Sequence, residues 1–176
     1  MPMGRYLLSS LVFLTAAFVF FGFPMAAHAQ DDSPAVLYNR GLQWGIGPSL
    51  LVPSDGGPLG LGLDLDVRYG IETGPFIVAP GGRVAGYFLS GYFVGEAMPT
   101  VRLTFPVGFL APFILGGAGA GWVSNPQKTG VALLGGGGLM VHLGRVLGLG
   151  AEVTYQTITG TDFHVVSIGP QILIGF

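Results

Sequence analysis

The chain has 176 residues, of which 50% are hydrophobic and only 9% charged, and its formal net charge is −2 at pH 7. This balance provides no basic face for nucleic acid, and the high apolar content excludes a disordered chain. Cysteine is absent from the sequence, which excludes disulfides, thiol catalysis and cysteine-ligated metals.

The first part of the chain has the three features of a secretory signal peptide. Arg5 supplies the positive charge, an apolar run covers 6–23, and small residues at 27–29 form a cleavage site. The run is long enough for an uncleaved membrane anchor, but Pro24 and the acidic pair at 31–32 favour cleavage. The expected division is a cleaved signal peptide at 1–29, a short lead-in at 30–42 and one barrel domain at 43–176.

Apolar residues after the lead-in recur with period two in segments separated by turn residues, which is typical of β-strands. In the clearest segment, 59–71, seven apolar residues alternate strictly with Gly, Asp and Arg. The segment 72–95 allows either a loop or a strand interrupted at Pro80, and no further apolar run is long enough for a spanning helix. The eight predicted strands are 43–53, 59–71, 76–89, 96–107, 110–123, 130–143, 146–158 and 163–176.

The composition of the two strand faces favours lipid over water as the surroundings. A soluble sandwich would also bury apolar faces. Its solvent-facing side would need many charged residues, however, whereas only 9% of this chain is charged and Lys128 is its single lysine. In lipid the sheet has to close, because unpaired backbone edges are not tolerated there. We therefore predict an all-β, antiparallel, up-and-down, eight-stranded transmembrane β-barrel. Aromatic residues near the ends of the apolar faces predict interfacial belts, formed by Trp44, Tyr69, Phe105, Trp122, Tyr155 and Phe176.

Closing the sheet points the mixed faces of the strands into the lumen. Eight strands leave an interior that side chains fill. Three acids and three bases are predicted to face inward, and buried charges persist only when they are paired. We therefore expect a self-neutralising lumen cluster, with inner glycines leaving room for long arginine side chains. Its members are Asp64, Asp66, Arg68, Arg83, Arg102 and Glu152.

With these features the chain resembles the small bacterial outer-membrane β-barrels of the eight-stranded OmpA/OmpX/OmpW-like superfamily. The signal peptide, "APFILGGAGAGW" at 111–122, "GGGGLMVHLG" at 135–144, "GAEVTYQ" at 150–156 and the strand ending at Phe176 carry the resemblance. It implies the outer membrane of a Gram-negative-type envelope, with its lipid and lipopolysaccharide as partners. It also implies that the barrel-assembly machinery reads the terminal strand, through Ile172, Ile174 and Phe176, although the family's commonest residue at the position of Ile174 is Tyr.

Candidate reactive residues predict no enzyme and no cofactor or metal site. His164 and Ser167 stand three apart and so lie on opposite faces of a strand, and the His-x-Ser spacing of lipid deacylases is absent. His142 has no second metal ligand near it in the sequence, and the glycine runs lack the Lys-Ser/Thr of a phosphate loop. Asp64 and Asp66 could form a catalytic or calcium site, but the adjacent arginines favour a structural network.

The sequence thus predicts a non-enzymatic outer-membrane barrel with a plugged lumen and a structural, porin-like or small-solute-related role. Short connections between strands weaken an adhesin interpretation. Two alternatives stay open at this point: a barrel that binds or transports a hydrophobic ligand, and an outer-membrane enzyme that modifies lipid.

Overall fold

The computed structural model describes residues 34–143 and 146–176 as a short helix and eight antiparallel strands. Each strand pairs with its neighbour in sequence, and β1 also pairs with β8, which closes the barrel. The predicted up-and-down, eight-stranded fold is confirmed. The proposed signal peptide lies outside the described residues. The elements are α1 Pro34–Asn39, β1 Gly41–Pro53, β2 Gly60–Glu72, β3 Ile77–Leu89, β4 Tyr92–Thr104, β5 Leu110–Ser124, β6 Gln127–Leu143, β7 Leu147–Ile158 and β8 His164–Gly175.

The strand bounds depart from the prediction mainly in β3 and β4. Strand β3 continues through Pro80, which occupies an outward position of a strand paired on both sides. Strand β4 begins at Tyr92 rather than at 96, because Ser90 and Gly91 make a two-residue hairpin turn in which Gly91 has a φ of 90°. The strand then ends at Thr104, so that Phe105 lies beyond it.

The two faces of the barrel wall differ in where charged residues lie, although both carry apolar side chains. Along β2, leucines point outward with more than 45% of their surface exposed, as at Leu65, while Asp64 and Arg68 point inward and are buried. The same alternation holds in the other strands. No Asp, Glu, Lys or Arg occupies an outward position in any of the eight described strands. The outer wall is therefore apolar, and the charges lie inside.

The two ends of the barrel are also different. One end, here called the helix end, carries α1, the start of β1, the end of β8 and the turns 73–76 and 105–109. Ala35 and Asn39 of α1 are buried there, and Ala35 N donates to Gly108 O. Gly41, with a φ of 74°, provides the bend from α1 into β1. The opposite end carries the turns 54–59, 90–91, 125–126 and 159–163. No helix in the described part of the chain is long and apolar enough to cross a membrane.

Candidate functional site

The barrel interior contains an ion-pair network centred on Arg83. Its Nη2 lies 3.1 Å from Asp64 Oδ2 on β2, and its Nη1 lies 2.6 Å from Glu152 Oε1 on β7. Strands β3 and β7 stand four apart in a closed ring of eight, so the pair with Glu152 crosses the lumen. All three side chains are buried. Removing one partner of a buried ion pair strongly destabilises a protein, because the other charge is left buried and unpaired.

Glutamine amides and a third ion pair lie on the inner wall beside this network. Arg68 Nη2 lies 3.3 Å from Asp66 Oδ1, and Arg68 Nε donates to Gln43 Oε1 at 3.2 Å. Gln171 Nε2 donates to Asp64 Oδ1 at 3.2 Å. Neutral amides therefore satisfy charged groups that one ion pair alone would leave incompletely bonded.

Two glycines of β1 make the space that this network occupies. A Cβ at Gly45 would overlap the carboxylate of Asp66, and a Cβ at Gly47 would overlap Gln171 Nε2 and lie 2.9 Å from Asp64 Oδ2. The polar side chains of β2 and β8 thus pack directly on the β1 backbone. Gly45 and Gly47 therefore make room for acids and an amide, whereas the sequence predicted that inner glycines make room for arginine side chains.

Two interior charges lie outside this network. Arg102 has no carboxylate within 4.0 Å among the described residues, and its guanidinium carbon lies 3.2 Å from the centroid of the Phe113 ring. Glu96 is 1% exposed, and neither carboxylate oxygen has a hydrogen-bond partner in residues 34–143 and 146–176. With Glu96 included, the described interior holds four acids and three arginines rather than three of each. Arg102 therefore does not join the ion pairs as the balanced cluster required.

The sequence contained the signal for Glu96. Glu96 has the same parity as Arg102, which the alternation assigns to the inner face. The predicted β4 begins at Glu96, and a residue at a strand end has no fixed direction. The hairpin at 90–91 moves the residue into the strand and its side chain into the lumen.

The helix end is closed by contacts between α1 and the inner wall, which sequence reasoning missed. Asn39 Nδ2 donates to Ala35 O at 2.7 Å and contacts His142 Nε2 at 3.2 Å. The ring of Tyr38 stacks on His142 with centroids 5.3 Å apart, and Gln43 Nε2 donates to Tyr38 O at 3.1 Å. His142 is thus a buried contact of the helix, inside the barrel rather than on its rim.

The aromatic residues predicted to form belts lie toward the two ends of the barrel. Trp44, Tyr69, Phe105 and Phe176 are near the helix end, whereas Trp122 and Tyr155 are near the opposite end. Trp122 covers the outward position of Gly95, where a Cβ would overlap its ring. In the terminal strand, Ile172 and Ile174 point outward and are more than one third exposed, as is Phe176 after it.

The two residues considered as a hydrolytic pair lie on opposite sides of the wall. His164 is exposed on the outside, where Thr157 Oγ1 is 2.8 Å and Tyr155 OH is 3.4 Å from its Nδ1. Ser167 is buried inside the barrel. These positions rule out a direct Ser167–His164 contact.

Two shallow depressions open at the end opposite the helix and meet at Tyr92. One, of about 150 Å³, is lined by residues that include Asp55 and Leu89, and the other, of about 200 Å³, by residues that include Lys128 and Asp162. Both are smaller than the ~300 Å³ at which pockets for small-molecule ligands begin. Within the described residues there is no group of three or more His, Cys, Asp or Glu that could hold a metal ion.

Solved structures share this architecture at low sequence identity. The chain resembles Neisserial surface protein A with a TM-score of 0.58 and 10% identity over 77% of this chain and 96% of that one. The N-terminal β-barrel domain of Pseudomonas aeruginosa OprF gives 0.57 and 11%, over 77% and 96%. The outer membrane enzyme PagL gives 0.55 and 13%, over 75% and 99%. No family model and no curated protein matches the chain. The chain therefore has the fold of small eight-stranded outer-membrane barrels.

Proposed function

We propose that this chain is an integral outer-membrane β-barrel protein of a Gram-negative-type envelope. The composition of the outer wall is the observation that supports this proposal. The outward positions of the described strands expose leucines, isoleucines and valines and include no Asp, Glu, Lys or Arg. Burying a side chain such as Leu65 in an apolar medium stabilises the barrel by about 1.5–3 kcal/mol relative to water. Strands of 12 or more residues, rising ~3.3 Å each and tilted by ~40°, cover about 30 Å, the thickness of a bilayer core.

The proposed role is structural and non-conducting. Arg83 bridges opposite walls, and Tyr87, Phe113 and Phe163 are almost fully buried inside the barrel. Helix α1 covers one mouth with buried contacts to His142. These side chains support a lumen plugged against ions and solutes. They weigh against the porin-like role and against transport of a hydrophobic ligand.

The orientation we propose places the helix end in the periplasm. The start of β1 and the end of β8 both lie there, because an even number of antiparallel strands brings them to the same side. The exposed Ile172, Ile174 and Phe176 would then present the terminal strand to the assembly machinery from the periplasmic side. Lipid and lipopolysaccharide are the partners proposed for the outer wall, with aromatic side chains at both interfaces.

We propose no enzymatic activity. The outer membrane enzyme PagL has the same fold, but function resides in sites rather than folds. His164 contacts two hydroxyl groups, and no carboxylate in the described part of the chain lies within ion-pair distance of it. The alternative of a lipid-modifying enzyme would be supported if purified barrel released fatty acid from lipid A.

Two measurements test the proposed function. Fractionation of expressing cells, followed by electrophoresis with and without boiling, should find the chain in the outer membrane with a mobility that changes on boiling. Planar-bilayer recordings of the purified barrel should show no conductance steps. Recovery in the soluble fraction would refute the membrane proposal, and regular conductance steps would refute the plugged lumen.

A further inference from the structure

Arg102 is a buried cation with no carboxylate within ion-pair distance in the described part of the barrel. Its side chain is 3% exposed, and neither Nε nor Nη2 has a hydrogen-bond partner among the described residues. The other two inward arginines, Arg68 and Arg83, each pair with at least one carboxylate. A buried charge without a direct partner is strongly unfavourable, so an anion bonded to these two nitrogens would stabilise the guanidinium.

The guanidinium packs on an aromatic ring. Its carbon lies 3.2 Å from the centroid of the Phe113 ring, which holds the group over the ring face. The ring itself fits a notch at Gly138, where a Cβ would lie 2.7 Å from Phe113 Cζ. The two free nitrogens, Nε and Nη2, form one edge of the planar group. Two parallel N–H bonds from one edge match two oxygens of a carboxylate, phosphate or sulfate.

A second free donor lies toward the same end of the barrel. His142 Nε2 faces the Asn39 amide nitrogen, whose other hydrogen goes to Ala35 O, so Nε2 is the acceptor. In the neutral ring the hydrogen then lies on Nδ1, and Nδ1 is buried with no partner in residues 34–143 and 146–176. Arg102 stands two positions from the end of β4 and His142 one position from the end of β6, where α1 contacts His142.

We propose that the helix end of the lumen binds a small oxyanion through Nε and Nη2 of Arg102, with His142 Nδ1 as a further donor. The ligand class is defined by two oxygens on one atom, as in phosphate, sulfate and carboxylates. Helix α1 packs against His142 at this end of the lumen. This site is distinct from the ion pairs of Arg83, and its existence does not depend on whether the barrel conducts.

The direct test uses the wild-type barrel in detergent micelles with 15Nε-labelled arginine. Phosphate, sulfate and acetate are titrated in turn at constant pH and ionic strength, with chloride as the reference ion. The Arg102 Nε–H resonance, assigned through its contact with the Phe113 ring, should shift and saturate, while that of Arg83 stays unchanged. An absent shift, or an equal unsaturated shift at Arg40 on the rim, would overturn the proposal. Differences between the three anions identify the preferred ligand.

Variants supply a second readout through thermal unfolding. Phosphate should raise the unfolding temperature of the wild type in a saturable manner. Arg102→Lys keeps the charge but loses the two-nitrogen edge, so half-saturation should require at least about tenfold more phosphate. Arg40→Lys is the matched control and should behave as wild type. Equal phosphate responses in all three proteins would show only non-specific ionic effects and overturn the site. If Arg102→Lys does not fold, the wild-type resonance titration alone decides.

Discussion

Arg83 Nη1 and Glu152 Oε1 lie 2.6 Å apart, although their strands stand on opposite sides of the closed sheet. Arg83 also bonds Asp64, so one guanidinium connects three strands across the lumen. Loss of this side chain would leave two carboxylates buried without their cation. The network is therefore expected to contribute strongly to the stability of the barrel.

Replacing the central arginine tests this expectation. Arg83→Gln should lower the free energy of unfolding by about 3–5 kcal/mol, because it breaks two buried ion pairs. The measurement is urea unfolding in lipid vesicles, followed by tryptophan fluorescence. The control is Arg40→Gln, since Arg40 pairs with Glu72 but is about half exposed, and it should cost about 0–1 kcal/mol. Equal effects of the two substitutions would contradict the role given to Arg83.

The two interior glutamates should respond oppositely to loss of charge. Glu152→Gln removes the carboxylate that pairs with Arg83 and should destabilise the barrel by about 3–5 kcal/mol. Glu96→Gln removes a buried carboxylate without a hydrogen-bond partner among the described residues, so stability should be unchanged or higher. Thermal unfolding in micelles compares them. A larger loss for Glu96→Gln than for Glu152→Gln would show that Glu96 has a partner of its own.

Two glycine-to-alanine substitutions separate tight packing from strand propensity. Gly47→Ala would force Gln171 and Asp64 to move and should cost about 1–3 kcal/mol, as overpacking does. At Gly135, on the outer wall, nothing lies within 4 Å of an added Cβ, so Gly135→Ala should be neutral or slightly stabilising. Unfolding midpoints in urea provide the comparison. A loss of stability in Gly135→Ala that matches Gly47→Ala would point to a general glycine requirement instead.

The packing of α1 against the inner wall depends on the side-chain amide of Asn39. Asn39→Ala leaves Ala35 O and His142 Nε2 without this donor and should cost about 1–3 kcal/mol locally. Hydrogen exchange at residues 35–39 should accelerate while that of the barrel strands stays slow. Leu37→Ala, at an exposed position of the same helix, is the control and should change exchange little. Unaltered exchange in Asn39→Ala would mean that other contacts hold the helix.

The fold could be predicted from sequence because lipid imposes a simple pattern on the strands. In β2, strict alternation fixed both the strand and the inward direction of Asp64 and Arg68. The hairpin at 90–91 was missed because two turn residues between long apolar segments leave little local signal. Helix α1 has only six residues, and its main contacts are with β6, more than one hundred residues away.

The pairing inside the lumen could not be predicted from the same pattern. Parity shows that Arg83 and Arg102 point inward, but it does not show which carboxylate each one reaches. That choice depends on the register of all eight strands, which places Arg83 between Asp64 and Glu152 and leaves Arg102 over Phe113. A net count of acids and bases therefore cannot distinguish an arginine that forms ion pairs from one that does not.

The contact of the outer wall with lipid is the central claim, and spin labels on β2 test it most directly. Nitroxides are attached at the outward positions 61, 63, 65, 67 and 69 of barrels reconstituted in vesicles, and collisions with oxygen and with a water-soluble nickel complex are compared. The account predicts that oxygen dominates at every position and most strongly at Leu65, midway along the strand. Preferential collision with the nickel complex throughout the strand would contradict it.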